Sequence, residues 1–285
     1  MPIKSSKNNC ERKKVTPKII AVIKARNERE NISETILSLK RQTLPPKQII
    51  VVNDGSTDGT GEVAKKLGCV VIDLPYHAES YVGKPELAKV LNVGLKVAAK
   101  ENPDYILTVD ADHLLPKNYV ECLIKRMEEN PKLVIASGRI KGEPYNVMHP
   151  RGSGRIIRTS FWRKVNNVQY PVCWGWESWL CLKAMQLGYE VRCFRDIETE
   201  VKRPTKRGKA GYGKAMYALG YDWKYALGRC ALTFLESPKA GLIMFWEFIR
   251  HNNVKRLDIA EWVNQMQKKR FWKHIWRIIR RKTRI

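Results

Sequence analysis

The sequence predicts an α/β fold with a mostly parallel central sheet flanked by helices. Three observations carry that prediction. Short β-branched runs alternate with helical patterns through the first half of the chain. Those runs are continuously apolar, as strands buried on both faces are. The 285 residues, 44% of them hydrophobic, suffice for one large core or for one core with a small appendage.

The elements follow in order. The strands are expected at KIIAVIKA (18–25), QIIVVND (48–54), CVVIDL (69–74), YILTVDAD (105–112) and KLVIASGRI (132–140). Between them lie ENISETILSLKRQ, GTGEVAKKLG, ELAKVLNVGLKVAAK and NYVECLIKRMEEN, which read as helices. This alternation implies right-handed crossovers, and ligands then bind outside the carboxyl ends of the strands. From about 141 to 176 the pattern is irregular and rich in Gly, Pro, Arg and Trp. A helix, ESWLCLKAMQLG, is ended by Gly188 as a C-cap, and a strand, YEVRCF, comes next. A basic loop, VKRPTKRGKAGYGK, leads into a stretch over 210–285 that reads as helical. The expected organisation is a basic arm over 1–16, an α/β domain over 17–209 and a helical basic region over 210–285.

The formal net charge of +25 calls for a polyanionic partner: nucleic acid, an anionic membrane face or a phosphorylated ligand. The seven cysteines have no CxxC spacing, so neither a zinc site nor a disulfide framework is suggested, and a reducing intracellular compartment is expected. The N-terminus shows no signal-peptide pattern. No stretch reaches the ~20 apolar residues of a spanning helix; residues 231–249 come nearest, broken by Glu236, Pro238, Lys239 and Glu247.

Two groups of acids sit at strand ends. Asp110 and Asp112, in LTVDADHLLP, either aim at one divalent cation or shape a turn and cap the helix near Pro116. Hard oxygen ligands suit Mg²⁺ or Mn²⁺, and substrate phosphates usually complete such a site. Asp54, in VVNDGSTDGT, either accepts hydrogen bonds from a ribose or base or belongs to a turn; Asp58 caps the following helix.

With these blocks in view, the sequence resembles the family-2 glycosyltransferases of the GT-A fold. KARNERENISETILSLKRQTLPPKQIIVVNDGSTDGT looks like the opening block of that family. LAKVLNVGLKVA is similar to its Ala-Leu-Asn-x-Gly-Leu helix, and TVDAD matches its DxD. The likeness runs from residue 18 to about 195. It implies that Ala25, Asn27, Glu28 and Asp54 contact the nucleoside of a UDP- or GDP-linked sugar. Asp110 and Ala111 would face the ribose or donor sugar, and Asp112 would hold the metal on the diphosphate. Lys89 and Asn92 lie on the helix that borders the donor, or belong to an ordinary amphipathic helix.

The same resemblance supplies a register for the catalytic base. The family usually carries Glu-Asp before a helix, with Leu three and Gly eleven residues after the Asp. Leu180 and Gly188 put Glu177 at the Asp position and Trp176 at the Glu position, a departure that keeps one carboxylate. Glu177 would take the acceptor hydroxyl's proton as that oxygen attacks the anomeric carbon, inverting it in one displacement. Trp174 and Trp176, flanking Gly175, are acceptor-wall candidates, whereas Trp179 falls near the apolar stripe of its helix. His113 and His149 stay outside the expected metal site.

The stretch QMQKKRFWKHIWRIIRRKTRI has helical period, with Phe271, Trp272, Ile275, Trp276, Ile278 and Ile279 on one side and mostly Lys and Arg on the other. It either lies on an anionic leaflet or docks its apolar side on the protein. The loop over 202–209, with Lys202, Arg203, Lys206, Arg207 and Lys209, either closes over the diphosphate or is simply solvated. A membrane-proximal acceptor is expected, a polyprenyl phosphate or a lipid-linked glycan, with the protein peripheral on the cytoplasmic face of the membrane and not bound to nucleic acid. Two other classes compete. A nucleic-acid-binding protein would use the charge and the tryptophans but shows no zinc-finger, RNA-recognition or helix-turn-helix pattern. A nucleotidyltransferase would need a triphosphate-binding loop that KARNERENI does not supply.

Overall fold

The computed structural model describes residues 16–203, 211–251 and 253–269. The strands are β1 (Ile19–Ala25), β2 (Gln48–Asn53), β3 (Val70–Asp73), β4 (Tyr105–Asp110), β5 (His113–Leu114), β6 (Leu133–Ile140), β7 (Arg155–Arg158) and β8 (Glu190–Val201). Among the described residues they form one eight-stranded sheet in the order β3-β2-β1-β4-β7-β6-β8-β5. β3, β2, β1 and β4 run parallel, β7 is antiparallel to both its neighbours, and β6 and β8 are parallel.

Helices cover both faces of the sheet. Alternate β1 residues point opposite ways, as strand geometry requires. Ile20 and Val22 join the core with α3 (Glu86–Lys100), α5 (Thr159–Asn166) and α6 (Trp176–Gln186). Ile19, Ala21 and Ile23 join the other core, with α1 (Arg29–Lys40), α2 (Thr60–Lys66) and α4 (Tyr119–Glu129). The α3 helix lies so close to the sheet that a Cβ on Gly94 would come within 2.6 Å of Val52 and 2.7 Å of Val22.

The stretch over 141–176, expected to be irregular, contains β7 and α5. β7 is only four residues long, RIIR, and has an arginine at each end. A strand so short leaves no periodicity to read, and it is specified by its neighbours β4 and β6. β8 runs to Val201, well past the expected YEVRCF, because Glu198 and Thr199 continue its pairing with β6 and Glu200 and Val201 pair with β5. Gly188 ends α6 with φ +80, and Tyr189 N–H reaches back to Ala184 C=O at 3.0 Å. That left-handed close is one that glycine adopts without steric cost.

Beyond residue 210 the described segments are largely helical: α7 (Tyr212–Ala218), α8 (Trp223–Glu236), α9 (Pro238–Ile249) and residues 260–269. Ile259 and Val263 are buried in the α3–α6 core. Asp258 accepts from Trp179 Nε1 at 2.7 Å and from Lys183 Nζ at 2.6 Å. The 257–269 segment therefore docks on the α/β domain. The apolar and basic side chains expected at 270–285 lie outside the described residues, as do the arm over 1–15 and Lys206, Arg207 and Lys209.

Candidate active site

The three central parallel strands end side by side. Lys24 is in register with Asp110, and Ala25 with Asn53. Asp54, the first residue after β2, is buried and donates its backbone N–H to Ala25 C=O at 2.8 Å. The acids flagged by the sequence at the ends of β2 and β4 thus flank the end of β1.

Lys24 organises one side of this crevice. It is ion-paired with Asp110. Burial lowers the pKa of its ammonium, but Asp110, Glu177 and Asp112 outweigh that and hold it above the ordinary lysine value. Burial likewise raises the Asp110 carboxyl, and Lys24, helped less by His113 and Arg151, brings it below the usual range. Carboxylates from β4 and from α6, over sixty residues apart in sequence, therefore act on one cation.

Asp112 follows β4 and is reached from the end of β8. Lys202 N–H donates to Asp112 C=O at 3.0 Å, which delivers Arg203 to the acid: Nε stands 3.3 Å from Asp112 Oδ2. The same guanidinium pairs with Glu28 through Nη2. Among the described residues no three His, Cys, Asp or Glu side chains cluster as a complete metal cage. The donor set is two hard carboxylates, Asp110 and Asp112, each partnered by a cation. That set fits an Mg²⁺- or Mn²⁺-type ion whose remaining oxygens come from phosphate.

Glu177 sits in the first turn of α6, where a carboxylate suits the helix dipole, and its side chain is 46% exposed. Arg155 holds this turn. Its guanidinium is fully buried, donating from Nε to Arg151 C=O at 3.0 Å and from Nη1 to Glu177 C=O at 3.1 Å and Tyr170 Oη at 3.2 Å. Its Nη2 is 4.0 Å from Glu177 Oε1. The loop before β7 closes the other side: Thr108 donates to Gly152 C=O at 2.7 Å, and a Cβ on Gly152 would run into the Glu177 carboxylate.

Near Asp54, His77 Nε2 stands 3.0 Å from Oδ1, His77 Nδ1 lies 2.7 Å from Arg26 Nη1 and 2.6 Å from Glu79 C=O, and the imidazole stacks on Tyr81 with centroids 4.0 Å apart. A heteroaromatic ring thus already lies against the acid expected to meet a nucleobase.

Several other expected residues also make contacts within the scaffold. Asn27, at φ 52, takes Thr57 N–H on its Oδ1 at 2.9 Å and ties the β1 turn to the β2 turn. Ala111 C=O accepts from Thr35 Oγ1 at 2.8 Å. Both ends of the Asn92 amide are engaged by the Tyr170 backbone, at 2.8 and 2.7 Å, so it clamps α3 to the segment before α6. Lys89 is exposed on α3. Trp176 is buried edge-on against Tyr170, whereas Trp174 is half-buried, with Lys214 Nζ 5.0 Å from its ring centroid; of the two, Trp174 has the accessible ring. Burial drives the His113 imidazole down to about 4, so it is neutral and structural, held by Ser153 Oγ at 2.6 Å. His149 Nε2 lies 2.9 Å from Ser178 Oγ.

Sequence reasoning missed Lys24, Arg155, His77 and Tyr81. Lys24 alone had a signal: a lysine inside the apolar run IIAVIKA needs a buried counter-charge.

The model of the family described as "Glycosyl transferase family 2" matches residues 20–188. The chain belongs to glycosyltransferase family 2. This family-2 domain is 33% identical over 122 residues to the poly-beta-1,6-N-acetyl-D-glucosamine synthase of Staphylococcus epidermidis, covering 41% of this chain and 26% of that protein. An uncharacterized protein of Methanocaldococcus jannaschii is 36% identical over 107 residues, covering 38% of this chain and 40% of that one. The chain thus spans well under half the length of these relatives. Among solved structures, the mannosyltransferase PcManGT from Pyrobaculum calidifontis, in complex with GDP-Man and Mn²⁺, superposes with a TM-score of 0.56 at 14% identity, over 84% of this chain and 71% of that one. TarS 1–349 of S. aureus with UDP-GlcNAc gives 0.53 at 20% identity, over 85% of this chain and 74% of that one. At such identities the likeness is one of fold, and the family-2 domain has the GT-A fold.

Proposed function

We propose that the family-2 domain moves a sugar from a UDP- or GDP-linked donor to a membrane-proximal acceptor, a polyprenyl phosphate or a lipid-linked glycan, with inversion. The observation that carries this reading is the convergence of Asp110, Asp112 and Glu177 on Lys24. That convergence supports a metal-and-diphosphate end and a proton acceptor within the electrostatic reach of one lysine.

Each part has a residue. Asp54, with Ala25, Asn27 and Glu28, faces the nucleoside, and Arg203, paired with Glu28, borders the diphosphate. Asp112, with Asp110 behind it, would hold Mg²⁺ or Mn²⁺; when bound, the ion offsets charge on the leaving nucleoside diphosphate. Glu177 accepts the proton of an acceptor hydroxyl while that oxygen bonds to the anomeric carbon and the carbon–diphosphate bond breaks. A phosphate acceptor is already ionised and needs Glu177 only for placement. Trp174 supplies an apolar wall. The GDP-Man, UDP-GlcNAc and Mn²⁺ complexes of the structural neighbours support a nucleotide-sugar donor and a divalent ion.

A thermal-shift screen of UDP- and GDP-sugars, with and without Mn²⁺ or Mg²⁺, tests the reading. One donor should stabilise the protein in a metal-dependent way and release nucleoside diphosphate. Release of pyrophosphate from a nucleoside triphosphate would instead identify a nucleotidyltransferase.

A further inference from the structure

Helices α8 and α9 form an antiparallel hairpin joined at Ser237-Pro238, and it packs on the rest of the fold mainly through α9 against α7. On α8 only Ala226 and Cys230 are buried; on α9 only Gly241 and Met244. Gly241 brings the helices together: a Cβ there would meet the Phe234 backbone at 2.6 Å. Thr233, Ala240, Glu247 and Phe248 are partly buried; the remaining positions face outward, and many of them are large and apolar. Leu235 is 80% exposed, Leu232 67%, Leu242 59%, and Phe234, Ile243, Phe245 and Ile249 are exposed as well. A soluble surface seldom leaves so many large apolar side chains contiguous. They lie on both helices and around much of α8, whereas a groove on a partner protein would cover one stripe.

Aromatic–cation pairs mark the other end of the hairpin. Trp223 opens α8 and Trp246 lies near the end of α9, so antiparallel packing places both away from the Ser237-Pro238 turn. Lys224 Nζ is 5.6 Å from the Trp223 ring centroid, and the Arg250 guanidinium is 4.3 Å from that of Trp246. Tryptophans with adjoining cations at the rim of an apolar segment suit a headgroup layer, where an indole sits half in lipid and a cation meets phosphate. The chain's net charge of +25 complements an anionic leaflet. At 1.5 Å per residue, the 14 residues of α8 and 12 of α9 span about 21 and 18 Å, short of a bilayer core of about 30 Å.

We infer that the α8–α9 hairpin is a membrane-docking element that beds in the interfacial region of one anionic leaflet without crossing it. The hairpin also reaches toward the proposed acceptor side. Glu247 on α9 accepts Gly211 N–H at 2.8 Å and Gly213 N–H at 3.1 Å, and a Cβ on Gly211 would run into the Trp174 ring. Docking therefore sets Trp174 near the lipid surface. The inference stands on the hairpin's own chemistry and extends the membrane-proximal part of the proposed function.

The test uses the full chain with vesicles of phosphatidylcholine alone or with phosphatidylglycerol. Sedimentation should show binding that is stronger with the anionic lipid. Hydrogen exchange on the bound protein should slow over 223–249. The double variant Leu232→Glu/Leu235→Glu should bind at least tenfold more weakly, with unchanged melting temperature and unchanged metal-dependent donor binding. Failure of donor binding in the wild type would sink the donor reading and leave the docking result intact. Vesicle binding without protection of the hairpin, or equal binding by the double variant, overturns the inference. So does a dimer in solution that the double variant abolishes, which would assign the surface to a second copy of the chain.

Discussion

Arg203 Nε stands 3.3 Å from Asp112 Oδ2 while its Nη2 grips Glu28, so one guanidinium bridges the acid of the DxD and the acid that follows β1. A cation bound at Asp112 must compete with that bridge. In Arg203→Gln the competition disappears, and Mn²⁺ should bind the nucleotide-free protein about fivefold more tightly, the equivalent of about 1 kcal/mol for a partly exposed pair. Electron paramagnetic resonance of the free aquo ion reads this directly. Unchanged or weaker Mn²⁺ binding would show that arginine and metal do not share the acid.

A Cβ on Gly152 would run into the Glu177 carboxylate. Gly152→Ala should push that side chain aside without unfolding the loop. Turnover should fall by about a hundredfold, the scale at which displacing a reacting group by about 1 Å acts. Donor affinity, measured by calorimetry, should stay within twofold. A loss of donor affinity equal to the loss of turnover would place Glu177 on the donor side.

The buried Arg155 guanidinium satisfies the carbonyls of Arg151 and Glu177 and the Tyr170 hydroxyl. Arg155→Met strips these partners together and should destabilise the fold by about 3–5 kcal/mol in urea denaturation. Tyr170→Phe removes one of them and should cost only about 1 kcal/mol. Equal losses would mean that the arginine is not the hub.

His149 contributes to pH-dependent stability with a definite sign. Burial, then Arg155, lowers its pKa in the folded protein, although Glu177 opposes them. The unfolded chain takes up the proton near an ordinary pKa of about 6.5 while the folded protein resists, so stability falls as pH drops below about 6.5. His149→Asn should flatten that part of the stability curve relative to wild type. A variant with the same slope between pH 5 and 7 would rule out this contribution.

Much of this was legible in the sequence, for physical reasons. β1, β2 and β4 are buried on both faces, and continuous apolar runs announce such strands. Asp54, Asp110 and Asp112 stand where those runs stop, so their meeting at one crevice follows from parallel strand ends lying together. β7 escaped because four residues carry no period. Arg155 escaped because an arginine reads as surface until its partners, scattered from Arg151 to Glu177, are brought around it. Asn92 lies on the helix of a family-like block that borders the donor, and Trp176 flanks Gly175 as an acceptor-wall candidate. Their environment, the Tyr170 backbone for one and its ring for the other, emerges only when α3 and α6 pack on the same face of the sheet. The α8–α9 surface was half visible, since residues 231–249 nearly qualified as a spanning segment; the break at Pro238 is the hairpin turn.

The central claim is that Asp112 and Glu177 serve one donor from two sides, and calorimetry paired with single-turnover transfer tests it most directly. With the donor identified by the screen and Mn²⁺ present, Asp112→Ala should lose donor binding, whereas Glu177→Gln should bind the donor as wild type does and fail to transfer to a hydroxyl acceptor. Wild-type transfer by Glu177→Gln to such an acceptor, or metal-dependent donor binding retained in Asp112→Ala, would contradict the account.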